Sequence, residues 1–436
     1  MSARFLEEQK RRPEPQGAAA VAWTAGTGRL SEQVVARMFE GPGRAMDWLR
    51  WRTDSALMMY GTFRHYARKH DHKTLYSNNL CWPSFWPRMF MPFARLMDVT
   101  MLDVQYTSGM ERALGSPREM MDILEMAEST APDKPLWGIE IHVQPQWPAE
   151  YAALQNWGLV AHGMTNNLVF AWRPYSDSGR PEGTRAWEKP GANPVWMLID
   201  NDGPRLPNFG HCMRSAREIR SYHQRFDGLA VRRRPSGIGF YVSPDTGVYI
   251  IMETGNKPWE SMWERTRSEL VYVLRMSRVH IDYVDDQTLP DTPGRFRALI
   301  VPATCVLSQP AACKLARFAR RGGTLVLAGA SGMRDPWLNR YGDLGGPAWA
   351  ELDWCAPDLK THLAGVAFDV GGGGQVSASA VESKAFRGAN IGRIADAAPI
   401  EDAVGHTVGW TRSWGRGKLV AYGVFPDTNT TTPTRP

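Results

Sequence analysis

The chain has 436 residues, a formal net charge of +6 and a hydrophobic fraction of 43%, so it is long enough for two or three domains and apolar enough to bury their cores. This composition excludes disorder for most of the chain, and no apolar run approaches the roughly 20 residues that a membrane helix needs. The positive charge is spread along the chain, and its densest run, Arg232–Arg234, indicates a solvated linker rather than a nucleic-acid patch. We therefore expect neither a nucleic-acid partner nor a membrane partner.

The five cysteines are odd in number, scattered, and form no CxxC pair. This pattern argues against a disulfide framework and against a structural zinc site, and it fits a reducing compartment. The sequence also contains no HExxH, no EF-hand loop and no glycine-rich phosphate loop. We expect a cytoplasmic protein without a metal or a cofactor.

The first 30 residues predict a disordered arm, because Gly, Ala, Pro and Gln dominate it and no apolar period persists. Helical spacing of apolar residues starts at Ser31, is interrupted at Gly41-Pro42-Gly43, and continues to about His70. Four apolar segments then alternate with amphipathic runs, which predicts parallel strands joined by right-handed crossovers. The predicted strands are Thr74–Leu80, Met97–Tyr106, Leu136–Gln144 and Asn167–Arg173.

A second α/β pattern follows the basic linker, over residues 236–353, and it predicts an open doubly wound sheet. Its predicted elements are strands at Gly237–Val242, His280–Val284, Ala298–Val301 and Thr324–Leu327, and helices at Trp259–Met276 and Pro310–Arg320. The signal weakens afterwards. Residues 354–436 predict a short β-rich segment, including Gly417–Val424, with a frayed polar tail.

Polar and aromatic residues lie near the carboxyl ends of the first four strands, where barrel enzymes place their chemistry. Glu140 is the sharpest candidate, because a carboxylate within an apolar strand is costly unless it is paired or functional. Catalysis and an ordinary ion pair are about equally good explanations for Glu140 alone. The nearby Trp147 and Trp172 favour catalysis, since indole rings offer large apolar platforms for sugars.

Other candidates keep competing explanations. Asp103 either contacts substrate hydroxyls or caps a loop, and the loop explanation is slightly better supported. Asn78 either binds sugar hydroxyls or forms a turn. Trp172 is a wall of the substrate site or an ordinary buried aromatic. Cys305 resembles a nucleophile elbow of an amidotransferase-like domain, but the glycines of such an elbow are absent, so a buried structural cysteine is favoured.

Taken in order, these pieces resemble glycoside hydrolase family 42, the β-galactosidases that combine a barrel with a trimerisation domain. The resemblance covers about residues 40–430, and its most specific stretch is 296–335, with ALIVPATCVLS and ARRGGTLVLAGASGMRD. Glu140 matches the nucleophile on the family's strand seven. Trp172-Arg173, after His162-Gly163, matches the family's last strand.

The resemblance implies retaining hydrolysis of terminal β-galactosides, with Glu140 as nucleophile and with Asn78, Asp103, Trp147 and Trp172 shaping the sugar site. It also implies a partial (β/α)8 barrel of about four units over 31–230, a trimerisation-like α/β domain over 236–353, and a possible homotrimer. One sugar contact departs from the pattern, because Leu102 precedes Asp103 where the family has a tryptophan.

Retaining hydrolysis needs two carboxyl groups about 5–5.5 Å apart. The family's acid/base is a glutamate after an asparagine on strand four, and no Asn-Glu precedes Glu140 in this sequence. We therefore expect an N-terminally truncated chain with impaired activity, since general acid catalysis is worth roughly 10²–10⁴-fold. The alternative is a non-catalytic carbohydrate-binding or oligomerisation protein derived from the same fold.

Overall fold

The structure is a computed structural model, and it describes residues 42–81, 87–103, 117–141, 150–169, 205, 207–225, 235–254, 261–328, 331–332, 334–339, 362–369, 375–381, 397–401, 407–422 and 424–426. Within these residues the chain forms three sheets flanked by helices, and the parallel α/β class that the sequence predicts is confirmed. The predicted arm, 1–30, lies outside the described residues.

The first sheet contains four parallel strands in chain order, β1-β2-β3-β4, with a helix before each strand. Its elements are α1 Pro42–His70, β1 Asn79–Cys81, α2 Pro87–Leu96, β2 Thr100–Asp103, α3 Pro117–Thr130, β3 Leu136–Ile141, α4 Glu150–Ala161 and β4 Met164–Val169. Helix α4 ends as the sequence indicates, because Gly163 adopts a φ of 83° that favours glycine.

The predicted strand Thr74–Leu80 is wrong in its bounds, since the strand begins only at Asn79. The segment before β1 forms hydrogen bonds through side chains and does not pair with a neighbouring strand. The Tyr76 backbone N–H donates to Asp98 Oδ2 at 2.8 Å, and the Ser77 hydroxyl donates to the Val99 carbonyl at 2.6 Å. These two bonds, together with the Asp98 backbone N–H that donates to the Tyr76 carbonyl at 2.9 Å, satisfy the segment without an extended strand.

The second sheet has seven strands in the order β11-β12-β13-β8-β7-β5-β6, parallel from β13 to β6 and antiparallel across β11, β12 and β13. Its elements and the helix before it are α5 Pro207–Arg225, β5 Ile238–Tyr241, α6 Pro244–Thr254, α7 Met262–Met276, β6 Asp282–Val284, β7 Ala298–Pro302, α8 Gln309–Arg320, β8 Thr324–Ala328, β11 Ala398–Glu401, β12 Thr407–Trp414 and β13 Gly417–Tyr422. Three late strands therefore complete a sheet that begins before residue 240. The third sheet, order β14-β10-β9, comprises β9 His362–Asp369, β10 Gln375–Val381 and β14 Val424–Pro426.

The two larger sheets share one buried apolar cluster. Phe90 and Phe93 of α2 and Leu102 of β2 pack in the same cluster as Phe240 of β5 and Tyr283 of β6. None of these side chains is more than 2% exposed. Because apolar burial stabilises by roughly 25 cal/mol per Å², this shared cluster binds the two α/β units together.

Helix α3 covers the edge strand β6, which has no strand neighbour on its outer side among the described residues. The backbone N–H of Tyr283 donates to Ser129 Oγ at 2.9 Å, and that of Ile281 donates to Glu125 Oε1 at 3.4 Å. Side chains of α3 thus accept hydrogen bonds that a neighbouring strand would otherwise accept. An edge covered in this way is protected from pairing with another chain.

A buried ionic seam joins the same helix to α7. The Arg267 Nη2 lies 2.6 Å from Asp122 Oδ2 and also bonds to Glu264, and the Tyr283 hydroxyl donates to Asp122. Burial raises the pKa of Asp122, and the Arg267 charge offsets this only in part. Burial alone would lower the pKa of Arg267, but the charges of Asp122 and Glu264 raise it above its ordinary value. The seam therefore stabilises the fold only while it is complete.

Replacing Arg267 with methionine should lower the free energy of unfolding by about 3–5 kcal/mol, because Asp122 and Glu264 would remain buried without a counter-charge. The measurement is equilibrium urea denaturation. The triple variant R267M/D122N/E264Q removes both uncompensated charges and should recover most of the loss. An unchanged midpoint for R267M would contradict this role of the seam.

A second set of ion pairs and hydrogen bonds, nearer the protein surface, connects α1 to the residues just before β2. Asp98 accepts from Arg64 Nη2 at 2.8 Å, from Arg68, and from the Tyr76 backbone. Burial alone would raise the pKa of Asp98, but the Arg64 and Tyr76 hydrogen bonds lower it below its ordinary value. Stability gained this way is present above the unfolded pKa and is lost as the pH falls through the folded pKa.

Asp98→Asn should therefore cost about 1.5–3 kcal/mol near pH 6. The difference from the wild type should shrink once the pH falls below about 4, where the carboxylate of the unfolded chain begins to protonate while that of the folded chain is still ionised. It should disappear as the pH falls through the lower pKa of the folded chain. Urea denaturation at several pH values measures it, with the exposed Asp133→Asn as the matched control. A difference that does not depend on pH would refute the assignment.

Candidate active site

The carboxyl edge of the first sheet brings two of the predicted carboxylates onto neighbouring strands. Asp103, the last residue of β2, pairs with Ile139 of β3, and Glu140 comes one residue later. The backbone positions of both residues are described, whereas their side chains lie outside the described part. Trp147 and Trp172 also lie outside it.

Strand β3 carries a bulge at the position of Glu140. Gly138 pairs with Asn167 and Ile141 pairs with Val169, so three steps along β3 match two steps along β4. An extra residue of this kind breaks the strict alternation of a strand, and bulges are frequent next to active sites because they re-aim a side chain. Glu140 therefore lies in an interval of β3 where the pairing with β4 is irregular.

The backbone beside the bulge is tightly packed. A Cβ at Gly138 would lie 2.8 Å from Met164 Sδ and 3.2 Å from both Asn167 Oδ1 and Ile141 Cδ1. Only glycine fits there without displacing a neighbour. The close approach of β4 thus fixes the part of β3 that leads into Glu140.

Asn78 occupies a different place from the one the sequence suggests. It directly precedes β1, and Asn79 pairs with Met101, two residues before Asp103. The half-buried Asn78 therefore lies at the amino end of its strand and not at the carboxyl edge. Because β1 is only three residues long, this places Asn78 about one strand length from the level of Asp103.

The pKa values of Asp122, Arg267 and Tyr283 are all raised in the seam, and none of these residues is predicted as a site residue from the sequence. Perturbed pKa values often mark active sites, but the only cavity beside Glu264 and Arg267 among the described cavities holds about 20 Å³. That volume accommodates a single water, which leaves no room for a substrate beside Glu264 and Arg267. The only trace of the seam in the sequence is the acidic pair Asp122 and Glu125, one turn apart on α3.

Three possible metal ligands meet near the same helix. Oxygen or nitrogen atoms of Glu125, Glu128 and His162 lie within 4.8 Å of one another. Arg275 already contributes a positive charge there, with Nη1 at 3.3 Å from Glu125 Oε1 and Nη2 at 3.5 Å from His162 Nδ1. A guanidinium in this position repels a metal ion and supplies part of the positive charge that the carboxylates face.

The second sheet has the crevice in which open α/β sheets often bind ligands, at the carboxyl ends of β5 and β7. Here protein fills it. Arg50 of α1 donates to Asp245 at 2.9 Å and to the Pro336 carbonyl, and the space left is the same 20 Å³ cavity. Cys305 lies beside it, 1% exposed within an apolar cluster. A substrate therefore has no room at Cys305, which favours the structural explanation for this cysteine.

Comparison with known proteins gives a fold assignment. No protein-family sequence model matches the chain, and no curated protein matches its sequence. Solved structures do match. The chain shares its fold with the GH42 β-galactosidases.

Three relatives illustrate the match. The GH42 β-galactosidase of G. stearothermophilus, as a catalytic mutant, gives a TM-score of 0.64 at 13% identity, over 94% of this chain and 63% of that chain. The Bacillus circulans sp. alkalophilus β-galactosidase gives 0.65 at 16%, over 89% and 56%. The Halorubrum lacusprofundi enzyme gives 0.62 at 16%, over 89% and 57%. The chain thus spans about three fifths of the length of the relatives it matches.

Among the described residues, no helix is both long enough and apolar enough to cross a bilayer.

Gly138→Ala should destabilise the protein by about 1–3 kcal/mol, because its methyl group would overlap the buried Met164 side chain and force it to repack. The matched control is Gly210→Ala, on an exposed face of α5 with nothing within 4 Å of its Cβ. That control should gain up to about 1 kcal/mol from helix propensity. Thermal and urea denaturation distinguish them, and equal effects at both positions would rule out the packing argument.

Proposed function

We propose that the chain carries a retaining β-galactosidase site in which Glu140 is the nucleophile. The supporting observation is its position, in a bulge at the carboxyl end of a parallel strand, beside the strand that ends in Asp103. Enzymes built on parallel barrels place their catalytic groups at this edge. The shared fold with GH42 β-galactosidases supports terminal β-galactosides as the substrate class.

In this proposal the Glu140 carboxylate attacks the anomeric carbon while the bond to the aglycone oxygen breaks. The product is a glycosyl-enzyme ester, and the aglycone oxygen takes up a proton. Water then attacks the same carbon, releases galactose with retained configuration and regenerates the carboxylate. Asp103 would bind sugar hydroxyls, and Trp147 and Trp172 would provide apolar walls for the ring, whereas Asn78, at the amino end of β1, would lie away from the ring.

The proposed reaction also needs a proton donor, and no residue of this chain is identified for that role. The 436 residues contain no Asn-Glu pair of the kind expected for the acid/base. Without a donor, cleavage depends on how well the aglycone leaves as an anion, and general acid assistance is worth roughly 10²–10⁴-fold. Activity should therefore be small on alkyl galactosides and larger on galactosides with acidic phenols as leaving groups.

The test uses 2,4-dinitrophenyl β-galactoside, whose leaving group needs little protonation, with and without azide as an external nucleophile. We expect slow release of the phenol, acceleration by azide and formation of β-galactosyl azide. Glu140→Gln should abolish all three. A 2-deoxy-2-fluoro galactoside with the same leaving group should label the peptide that contains Glu140, as read by mass spectrometry.

The matched control is Glu150→Gln, at an exposed position in the first turn of α4. It should retain the wild-type rate. Phenol release that persists in Glu140→Gln, or labelling of another peptide, would reject Glu140 as the nucleophile. Efficient cleavage of alkyl galactosides that requires Glu140 would support the nucleophile and show that a proton donor is present.

The absence of an Asn-Glu pair favours one alternative, a carbohydrate-binding or oligomerisation protein on the same fold. Calorimetric titration with galactose and lactose separates the two functions. Measurable affinity without turnover, unchanged in Glu140→Gln, would favour binding. Sedimentation velocity tests the proposed homotrimer independently of either function.

A further inference from the structure

A cleft of about 520 Å³ lies between the two α/β units, at the opposite end of the first sheet from Glu140. Its walls come from the last turns of α2 and α3, which precede the starts of β2 and β3, and from the connection between β6 and β7. The volume is far larger than a bound ion requires and falls in the usual range of small-molecule sites, about 300–1,000 Å³.

The residues lining this cleft include two arginines and no acidic residue. Arg95 uses Nη2 to pair with Asp285 and to donate to Gln287 Oε1 at 3.0 Å. Its Nη1 is buried and has no hydrogen-bond acceptor within the described structure. The Arg95 side chain as a whole is 25% exposed and lines the cleft, so a ligand can contact it there.

The second arginine, Arg295, lies exposed at the mouth of the cleft, with its guanidinium 4.4 Å from the centre of the Phe296 ring. Phe296, Pro132 and Pro290 supply apolar surface to the same cleft. Lys134 adds positive charge behind it, where its ammonium group bonds the carbonyls of Ala94, Arg95 and Met97 at the end of α2. The cleft thus combines cationic groups with an apolar wall.

We propose that this cleft binds a small organic anion, one carboxylate, phosphate or sulfate group on an apolar body. The anionic group lies against the part of the Arg95 side chain that lines the cleft, Arg295 adds a second charge at the mouth, and the apolar body lies against Phe296 and the two prolines. The site is separate from the proposed hydrolytic site, because it lies at the amino end of the strands that carry Asp103 and Glu140 at their carboxyl ends.

The experiment titrates the full chain by calorimetry with benzoate, phenyl phosphate and phenyl sulfate, and with neutral benzyl alcohol as the matched probe. At least one anion should bind at least tenfold more tightly than benzyl alcohol, as expected for one charge-assisted hydrogen bond of about 1.5 kcal/mol or more. The three anions distinguish the carboxylate, phosphate and sulfate sources. Benzyl alcohol binding as tightly as every anion would overturn the proposal.

Three variants locate the site. Arg95→Gln should weaken binding of the best anion about tenfold or more, and the exposed Arg295→Gln should weaken it about two- to fivefold. Because Arg95→Gln also removes the partner of Asp285, a third variant keeps the test independent of folding. Gly294→Trp places an indole at the cleft, where a Cβ has nothing within 4 Å, and it should abolish binding.

Gly210→Trp is the matched control for the third variant, since its Cβ is equally unobstructed but lies on α5, away from the cleft. It should bind as the wild type does. If the folded Gly294→Trp protein binds the anion with unchanged affinity, or if no anion binds at millimolar concentration, the cleft is not an anion site. Unchanged binding in Glu140→Gln is expected, so failure of this proposal and failure of the proposed hydrolytic function are distinguishable.

Discussion

The interaction on which the fold depends most is the closure of β6 by helix α3. Parallel sheets need cover on both faces and protection at their edges. Here helix α3 contributes to the cover and also protects the edge strand β6. Ser129 and Glu125 accept the backbone N–H groups of β6, while Asp122 of the same helix pairs with Arg267 of α7. The charges are nearly inaccessible to water, so each must keep its partner. The two sheets are therefore held at a fixed relative position.

This closure also affects the proposed site. Helix α3 connects β2 to β3 in the chain, and those strands end near Asp103 and Glu140. Fixing the helix against the second sheet fixes the spacing of the two strands. Gly138 then allows β4 to approach closely enough to pack beside the bulge. The precise backbone that a nucleophile requires is thus supplied by packing outside the carboxyl edge.

Local sequence signals predict the second sheet well. The helix predicted at Pro310–Arg320 occurs at Gln309–Arg320, since Ser308 caps it and Gly322 ends it, and the strand predicted at Thr324–Leu327 extends one residue further. Helix α6, Pro244–Thr254, was not predicted. Its Gly and β-branched residues have low helix propensity, and burial of Val248, Tyr249 and Ile250 against other elements decides its conformation.

The candidate site is less predictable than the fold, because its decisive features are relations between distant segments. The bulge between Gly138 and Ile141 exists only in the pairing of β3 with β4, so the sequence of β3 alone does not show it. The Asp122–Arg267 pair joins residues 145 positions apart, and each half alone resembles an ordinary surface charge. The same holds for Arg95, which lines the cleft only because α2 meets the β6–β7 connection. Charges thus acquire their roles from contacts between the two units, and composition records only their number.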